Sequence, residues 1–304
     1  MFTGILSGLF WALETVLIGQ VMNMQGIRAL LIAPFVCTFL HDTFSAAWMF
    51  FYNLKKGQIK DVYQALHSKY GKFVSVAALI GGPVVMSGYM MTIHYLGSSI
   101  GAVVSAVFPV MGAVLAVIFL KEKMKWFQWI FLFLTILGVY GIHYSTDMLV
   151  MNAWLGLTGA FFCSFGWGIE AVILAKCLKS DGMKKEFALQ IRQMTSSFVY
   201  GLILLPFMKK FNLLHILWDG KLIFMIGLAA LFATISYLFY YKSIYKVGAA
   251  KAMALNITYV AWSIVLTVFM FHDFQYVTPV MIGCSILVFG CSILTTFDFK
   301  RKIV

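Results

Sequence analysis

The chain has 304 residues, 62% of them hydrophobic and 17% aromatic, with only 11% charged and a mean hydropathy of +0.91. Soluble domains run at about 45–50% apolar and about 25% charged, so this apolar excess is more than one water-surrounded core can bury, and the chain reads as an integral membrane protein. The formal charge of +12, from 23 Lys+Arg against 11 Asp+Glu, therefore speaks to membrane topology before it speaks to nucleic acid.

A spanning helix needs about 20 mostly apolar residues. The opening run, residues 3–21, has no basic leader and carries Glu14 at its centre, so it reads as the first span and not as a cleaved signal. Further apolar runs follow at 30–52, 73–93, 99–119, 126–143, 152–175, 187–207, 222–242, 251–271 and 277–297. They are continuous instead of alternating, which excludes the staves of a barrel. Pro83, just after Gly81 and Gly82, and Pro109 fall inside the third and fourth runs and are expected to kink them. Gly4, Gly8, Gly97, Gly101, Gly156 and Gly159 suit close helix crossings. The five cysteines have no metal-ligand spacing and read as small core residues. The expected fold class is all-α integral membrane, with ten transmembrane helices.

Loop charges orient the spans. With the N-terminus cytoplasmic, the outer loops hold only Arg28, Lys209, Lys210 and Lys221, Arg192 lies within a span, and every other Lys and Arg falls on the inner loops or tail. That is the asymmetry of the positive-inside rule, with both termini cytoplasmic. It accounts for the basic charge, so membrane lipid and no nucleic acid is expected as a partner. The sequence also repeats itself. Trp11-x-x-Glu14 in FWALETVLIG recurs as Trp167-x-x-Glu170 in GWGIEAVILA, and FPVMGAVLAVIFL from Phe108 aligns with TYVAWSIVLTVFM from Thr258. Five spans per half is an odd number, so the halves are expected to be two inverted five-helix repeats, residues 1–148 and 149–304. Together they would form one membrane domain with a site between them near the midplane.

All but three of the acidic residues, Glu14, Asp42 and Glu170, fall in or beside loops. A mid-span carboxylate costs roughly 2.5–3.5 kcal/mol, so these three are expected to face a cavity or a partner. A spacing of three puts Trp11 with Glu14, and Trp167 with Glu170, on single helical faces. Aromatic faces beside carboxylates suit a cation, a quaternary ammonium above all, whereas packing against neighbouring helices is the structural alternative. Tyr237 and Tyr240 share a face of the eighth span, Asn256 and Tyr259 share one of the ninth, and Tyr89 is a further polar aromatic in the third. These nine residues are the candidate substrate contacts. His41 with Asp42, and Arg192 with Gln193, occupy repeat-related positions and read as an ion-pair or gating group; a buried Arg192 requires a carboxylate, Asp42 or Glu186. There is no HExxH, GxSxG, Walker A or paired CxxC, and His143 with Asp147 makes only an HxxxD at the outer surface. Enzyme chemistry and an ATP-driven pump are therefore not expected, nor are a cofactor or a metal. Proton or membrane-potential energy remains as the driving force.

The run GSSIGAVVSAVFPVMGAVLAVIFLKEK, from Gly97, resembles the drug/metabolite transporter superfamily with its EamA-type repeats. More narrowly, His41-Asp42, GPVVM at Gly82, YLGSSI at Tyr95, GWGIEAV at Gly166, IRQMTS at Ile191, and ISYLFYYKSI with ALNITYVAWSIV are similar to the LicB-type bacterial choline transporters. The resemblance implies a multi-pass protein of a bacterial cytoplasmic membrane that imports choline, or a similar quaternary amine, by alternating access. It also implies a choline cage at Trp11, Trp167, Glu170, Tyr237, Tyr240, Asn256 and Tyr259. Glu14 departs from the family pattern, which has a small residue there. Export of amino acids or other small metabolites and drugs, within the same superfamily, and a non-transporting intramembrane scaffold are the alternatives. Oligomeric state is not readable from the sequence.

Overall fold

The computed structural model describes residues 1–24, 33–97, 101, 103, 106–144, 151–180, 183–208, 219–271 and 277–297, and among these there is helix and turn but no strand. Arg28, Asp147, Lys209 and Lys210, which entered the charge and motif arguments, lie outside the described residues. In chain order the helices are α1 (Phe2–Asn23), α2 (Ala33–Lys55), α3 (Ile59–His67), α4 (Lys69–Leu79), α5 (Val85–Leu96), α6 (Phe108–Leu120), α7 (Trp126–His143) and α8 (Ala153–Leu178). They continue with α9 (Lys185–Val199), α10 (Leu205–Phe207), α11 (Gly220–Val247), α12 (Ala249–Asn256), α13 (Tyr259–Phe271) and α14 (Pro279–Leu294).

Among the described residues, six stretches are long and apolar enough to cross a membrane: Phe2–Asn23, Lys69–Leu96, Trp126–His143, Ala153–Leu178, Gly220–Val247 and Ala249–Met270. Phe108–Leu120 and Pro279–Leu294 are apolar but shorter. Helices α2 and α9 are not in either group. They carry the buried Asp42 and Asn53, and the buried Gln190, Arg192, Gln193 and Ser196, which dilute their apolar character.

Several expectations about helix breaks need correction. Pro83 sits in a π-helical turn, Ile80–Val84, that joins α4 to α5 into one continuous stretch, so the third span is interrupted as the proline implied. Pro109 does not kink a span. It occupies the first turn of α6, where a missing N–H leaves no bond unmade. A second π turn, Tyr200–Leu204, falls in the seventh run without any proline inside it. The ninth run is broken at Ile257 and Thr258, where Thr258 Oγ1 donates to the Leu255 carbonyl at 2.7 Å. The short α3 is amphipathic, burying Val62 and Ala65, and was invisible to a search for long apolar runs.

Helix α1 packs along α11, α5 along α8, α7 along α14 and α2 along α9. The α5–α8 contact is glycine-mediated: a methyl placed on Gly88 would meet the Gly159 carbonyl at 2.6 Å, and one on Gly159 would strike that of Gly88. Gly97 plays a different part from the packing role expected of it. It ends α5 at φ 89°, and Gly248 ends α11 at φ 89°, each in a region that a side chain disfavours. Beside Gly248, the Glu122 carboxylate accepts the amide N–H of Ala249 at 2.8 Å and of Ala250 at 3.2 Å, capping the N-terminus of α12. The largest buried cluster, with Leu132, Leu174, Leu189, Ile244 and Met253 among its members, adjoins the cavity described next through Phe108, Ala171, Leu174, Tyr237 and Tyr240.

Candidate functional site

One cavity of about 600 Å³ is lined by residues of α1, α2, the π turn before α5, α5 itself, the start of α6, α8, α9, α11, the end of α12 and the start of α13. All nine candidate substrate contacts line it: Trp11, Glu14, Tyr89, Trp167, Glu170, Tyr237, Tyr240, Asn256 and Tyr259. So do His41, Asp42 and Arg192. Gln193 does not line it; it stands behind, accepting a bond from Arg192 Nη1 at 2.9 Å.

The aromatic rings form two groups. Trp11 has the Tyr237 ring at 5.3 Å and the Tyr259 ring at 6.0 Å, while Trp167 has Phe108 at 5.6 Å and Tyr89 at 6.5 Å, centroid to centroid. The two tryptophans of the repeated Trp-x-x-Glu pattern thus each anchor one group. Asn256 and Tyr259 reach the cavity because α12 ends at one and α13 begins at the other, not because a continuous helix presents them on one face. Asn256 Nδ2 donates to Ser7 Oγ at 2.6 Å, and Ser7 in turn meets Ser236 across to α11. That chain ties the helix break to α1.

The charged centre adjoins the Trp11 group through Tyr237. Arg192 Nε donates to Glu170 Oε1 at 2.9 Å, Arg192 Nη1 stands 4.0 Å from Asp42 Oδ1, and the guanidinium lies over the Tyr237 ring at 4.6 Å from its centroid. The partner of Arg192 is therefore Glu170, with Asp42 second; Glu186 is bound instead to Lys185 at 2.6 Å. Asp42 receives Ser196 Oγ at 2.6 Å and shares a hydrogen bond with His41 Nδ1 at 3.0 Å. His41 Nε2 then faces Glu14 Oε1 at 3.8 Å, and Thr15 Oγ1 donates to Glu14 Oε2 at 3.3 Å. The cluster holds three carboxylates against one arginine and one histidine, so its formal charge is negative whichever state His41 takes.

Three residues that matter here escaped the sequence reading. Ser196 sits one turn after Arg192 and was findable by i, i+4 spacing from a mid-span arginine. Phe108 offers a ring with no polar handle, so nothing distinguished it among 29 phenylalanines. Gly81 makes room for the Glu170 carboxylate, with which any side chain at that position would collide.

Residues 1–144 match the EamA-like transporter family. Over 229 residues, 75% of this chain and 76% of the other, the sequence is 29% identical to Protein LicB of Haemophilus influenzae. The fold is similar to that of a protein solved by crystallography, with a TM-score of 0.72 over 97% of this chain and 95% of that one, at 12% sequence identity. The resemblance carried by the sequence motifs is supported by these matches: residues 1–144 match the EamA-like transporter family, and the chain is a multi-pass membrane protein similar to Protein LicB.

Proposed function

We propose that the protein is a secondary transporter that imports choline, or a similar quaternary ammonium compound, across the cytoplasmic membrane of a bacterium by alternating access. In this reading ten helices form two inverted five-helix units, residues 1–148 and 149–304, with both termini cytoplasmic. The matched positive-φ glycines Gly97 and Gly248 support such a duplication, since each ends a helix in the same backbone conformation.

The observation that carries the substrate class is the cavity itself. Rings from both halves of the chain and carboxylates in excess of cations surround a space of about 600 Å³. A quaternary ammonium has no N–H to donate, so it is recognised by ring faces and by net negative charge at short range. An amino acid would also need a cation for its carboxylate, and Arg192 already spends its Nε on Glu170. Entry of a cation into a negative-inside cell gains about 2.3 kcal/mol per 100 mV, so membrane potential alone drives accumulation, and a proton gradient would add to it.

Uptake of radiolabelled choline by proteoliposomes under an imposed negative-inside potential tests this. Saturable accumulation, competed by other quaternary amines and not by amino acids, is expected. No flux of any amine under either a potential or a proton gradient would overturn it and favour the scaffold reading.

A further inference from the structure

The geometry points to Glu14, and not Glu170, as the counter-ion of the transported ammonium group. This assignment rests on the import reading above and refines it.

The three carboxylates of the cavity are not equivalent. Glu170 is held by Arg192 Nε at 2.9 Å and is 7% exposed, so its charge is already matched by the one side chain here that is always positive. Asp42 is 4% exposed and has Ser196 Oγ at 2.6 Å, His41 Nδ1 at 3.0 Å and Arg192 Nη1 at 4.0 Å around it. Glu14 is 18% exposed and has Thr15 Oγ1 at 3.3 Å and His41 Nε2 at 3.8 Å. Since His41 is already committed to Asp42 through its other nitrogen, Glu14 gains a positive partner only when that ring is doubly protonated. Even then three negative groups face two positive ones. The unmatched charge of the cluster therefore falls on the carboxylate that is most open to the cavity.

The rings favour the same side. The Arg192 guanidinium covers one face of Tyr237, so a second cation near Glu170 would meet a fixed positive charge. Trp11 lies one turn before Glu14 and has the Tyr259 ring 6.0 Å away, which places two rings near a carboxylate that Arg192 does not bind. Glu14 thus sets the requirement for positive charge, while Glu170 and Arg192 satisfy each other within the same cavity lining.

The test couples the charge of the ligand to the charge of the residue. Choline and its uncharged carbon isostere, 3,3-dimethyl-1-butanol, are titrated against purified wild type, Glu14→Gln, Glu14→Asp and Glu170→Gln, using the fluorescence of the cavity tryptophans. For Glu14→Gln we expect the preference for choline over the isostere to shrink by about tenfold or more, equivalent to about 1.4 kcal/mol, with isostere binding nearly unchanged. Glu14→Asp keeps the charge and should keep most of the preference. Glu170→Gln should alter both ligands by a similar factor. Retained isostere binding shows that a variant is folded, so a lost preference is not read from a collapsed protein. If Glu14→Gln keeps the wild-type preference, or only Glu170→Gln loses it, the assignment to Glu14 is wrong while the import reading survives. Wild type that binds the isostere as tightly as choline would overturn both.

Discussion

Arg192→Met removes the only arginine among the described residues lining the cavity and leaves Glu170 and Asp42 buried without it. At an effective dielectric of 20, two unit charges 4 Å apart attract by about 4 kcal/mol, and the Glu170 contact at 2.9 Å is closer still. Desolvation of the guanidinium offsets part of this, since methionine has nothing to desolvate, and measured losses from deleting one partner of a buried pair are about 3–5 kcal/mol. With a Tm shift of about 2–4 °C per kcal/mol for chains of this order of size, the variant should melt roughly 6–20 °C below wild type. Thermal unfolding of the purified protein, followed by intrinsic fluorescence, measures it. Adding Glu170→Gln to Arg192→Met should restore at least half of the loss, because the stranded carboxylate then becomes neutral. A single variant as stable as wild type, or a double variant no better than the single, would refute the claim that this pair is a structural unit.

Ser196→Ala takes a charge-assisted donor from Asp42 and should cost about 1.5–3 kcal/mol by the same assay, with Ser197→Ala, whose hydroxyl meets the exposed Thr43, as a near-neutral control. Gly81→Ala collides with the Glu170 carboxylate and should lower choline uptake by about tenfold or more, whereas Gly283→Ala, with open space around it, should change uptake by less than about twofold. At the start of α9, burial pushes the Glu186 carboxyl up, but its bond to Lys185 and its own backbone N–H outweigh that and hold it below the usual 4.5. A lowered folded-state value means a contribution present above the unfolded value and lost as pH falls through the folded one. Wild type should therefore lose stability relative to Glu186→Gln on acidification below about pH 4.5, and parallel pH curves for the two would contradict this.

Much of the site was legible because charge inside an apolar run is conspicuous. Glu14, Asp42, Glu170 and Arg192 stand out against their neighbours, and helical spacing attached Trp11 and Trp167 to two of them. What the spacing could not supply was the pairing. Arg192 and Glu170 are on different helices, and only the packing of α8, α9 and α2 decides that Glu170 takes the short contact and Asp42 the longer one. The same limit applies to Asn256 and Tyr259. Their separation of three suggested a shared helical face, but a break at Ile257 and Thr258 brings them to the cavity by another route, and no proline or glycine marks that break. Pro109 misled in the opposite sense, because a proline at the first turn of a helix looks the same in sequence as one that kinks a span. Helix α3 was overlooked because a nine-residue amphipathic segment has no long apolar run to reveal it.

The pairing of α2 with α9 has a consequence for how the protein is made. Over their described residues neither helix is among the stretches long and apolar enough to cross a membrane, and each carries charge at mid-length that costs roughly 2.5–3.5 kcal/mol in lipid. Yet Ser196 and Arg192 of the later helix are what satisfy Asp42 of the earlier one. During synthesis α2 leaves the ribosome long before α9 exists, so for that interval Asp42 has only His41 beside it. Either α2 waits at the membrane surface or within the insertion machinery, or it enters with its carboxylate protonated and is ionised when α9 arrives. Satisfaction of the buried Asp42 then depends on the synthesis of the second half of the chain.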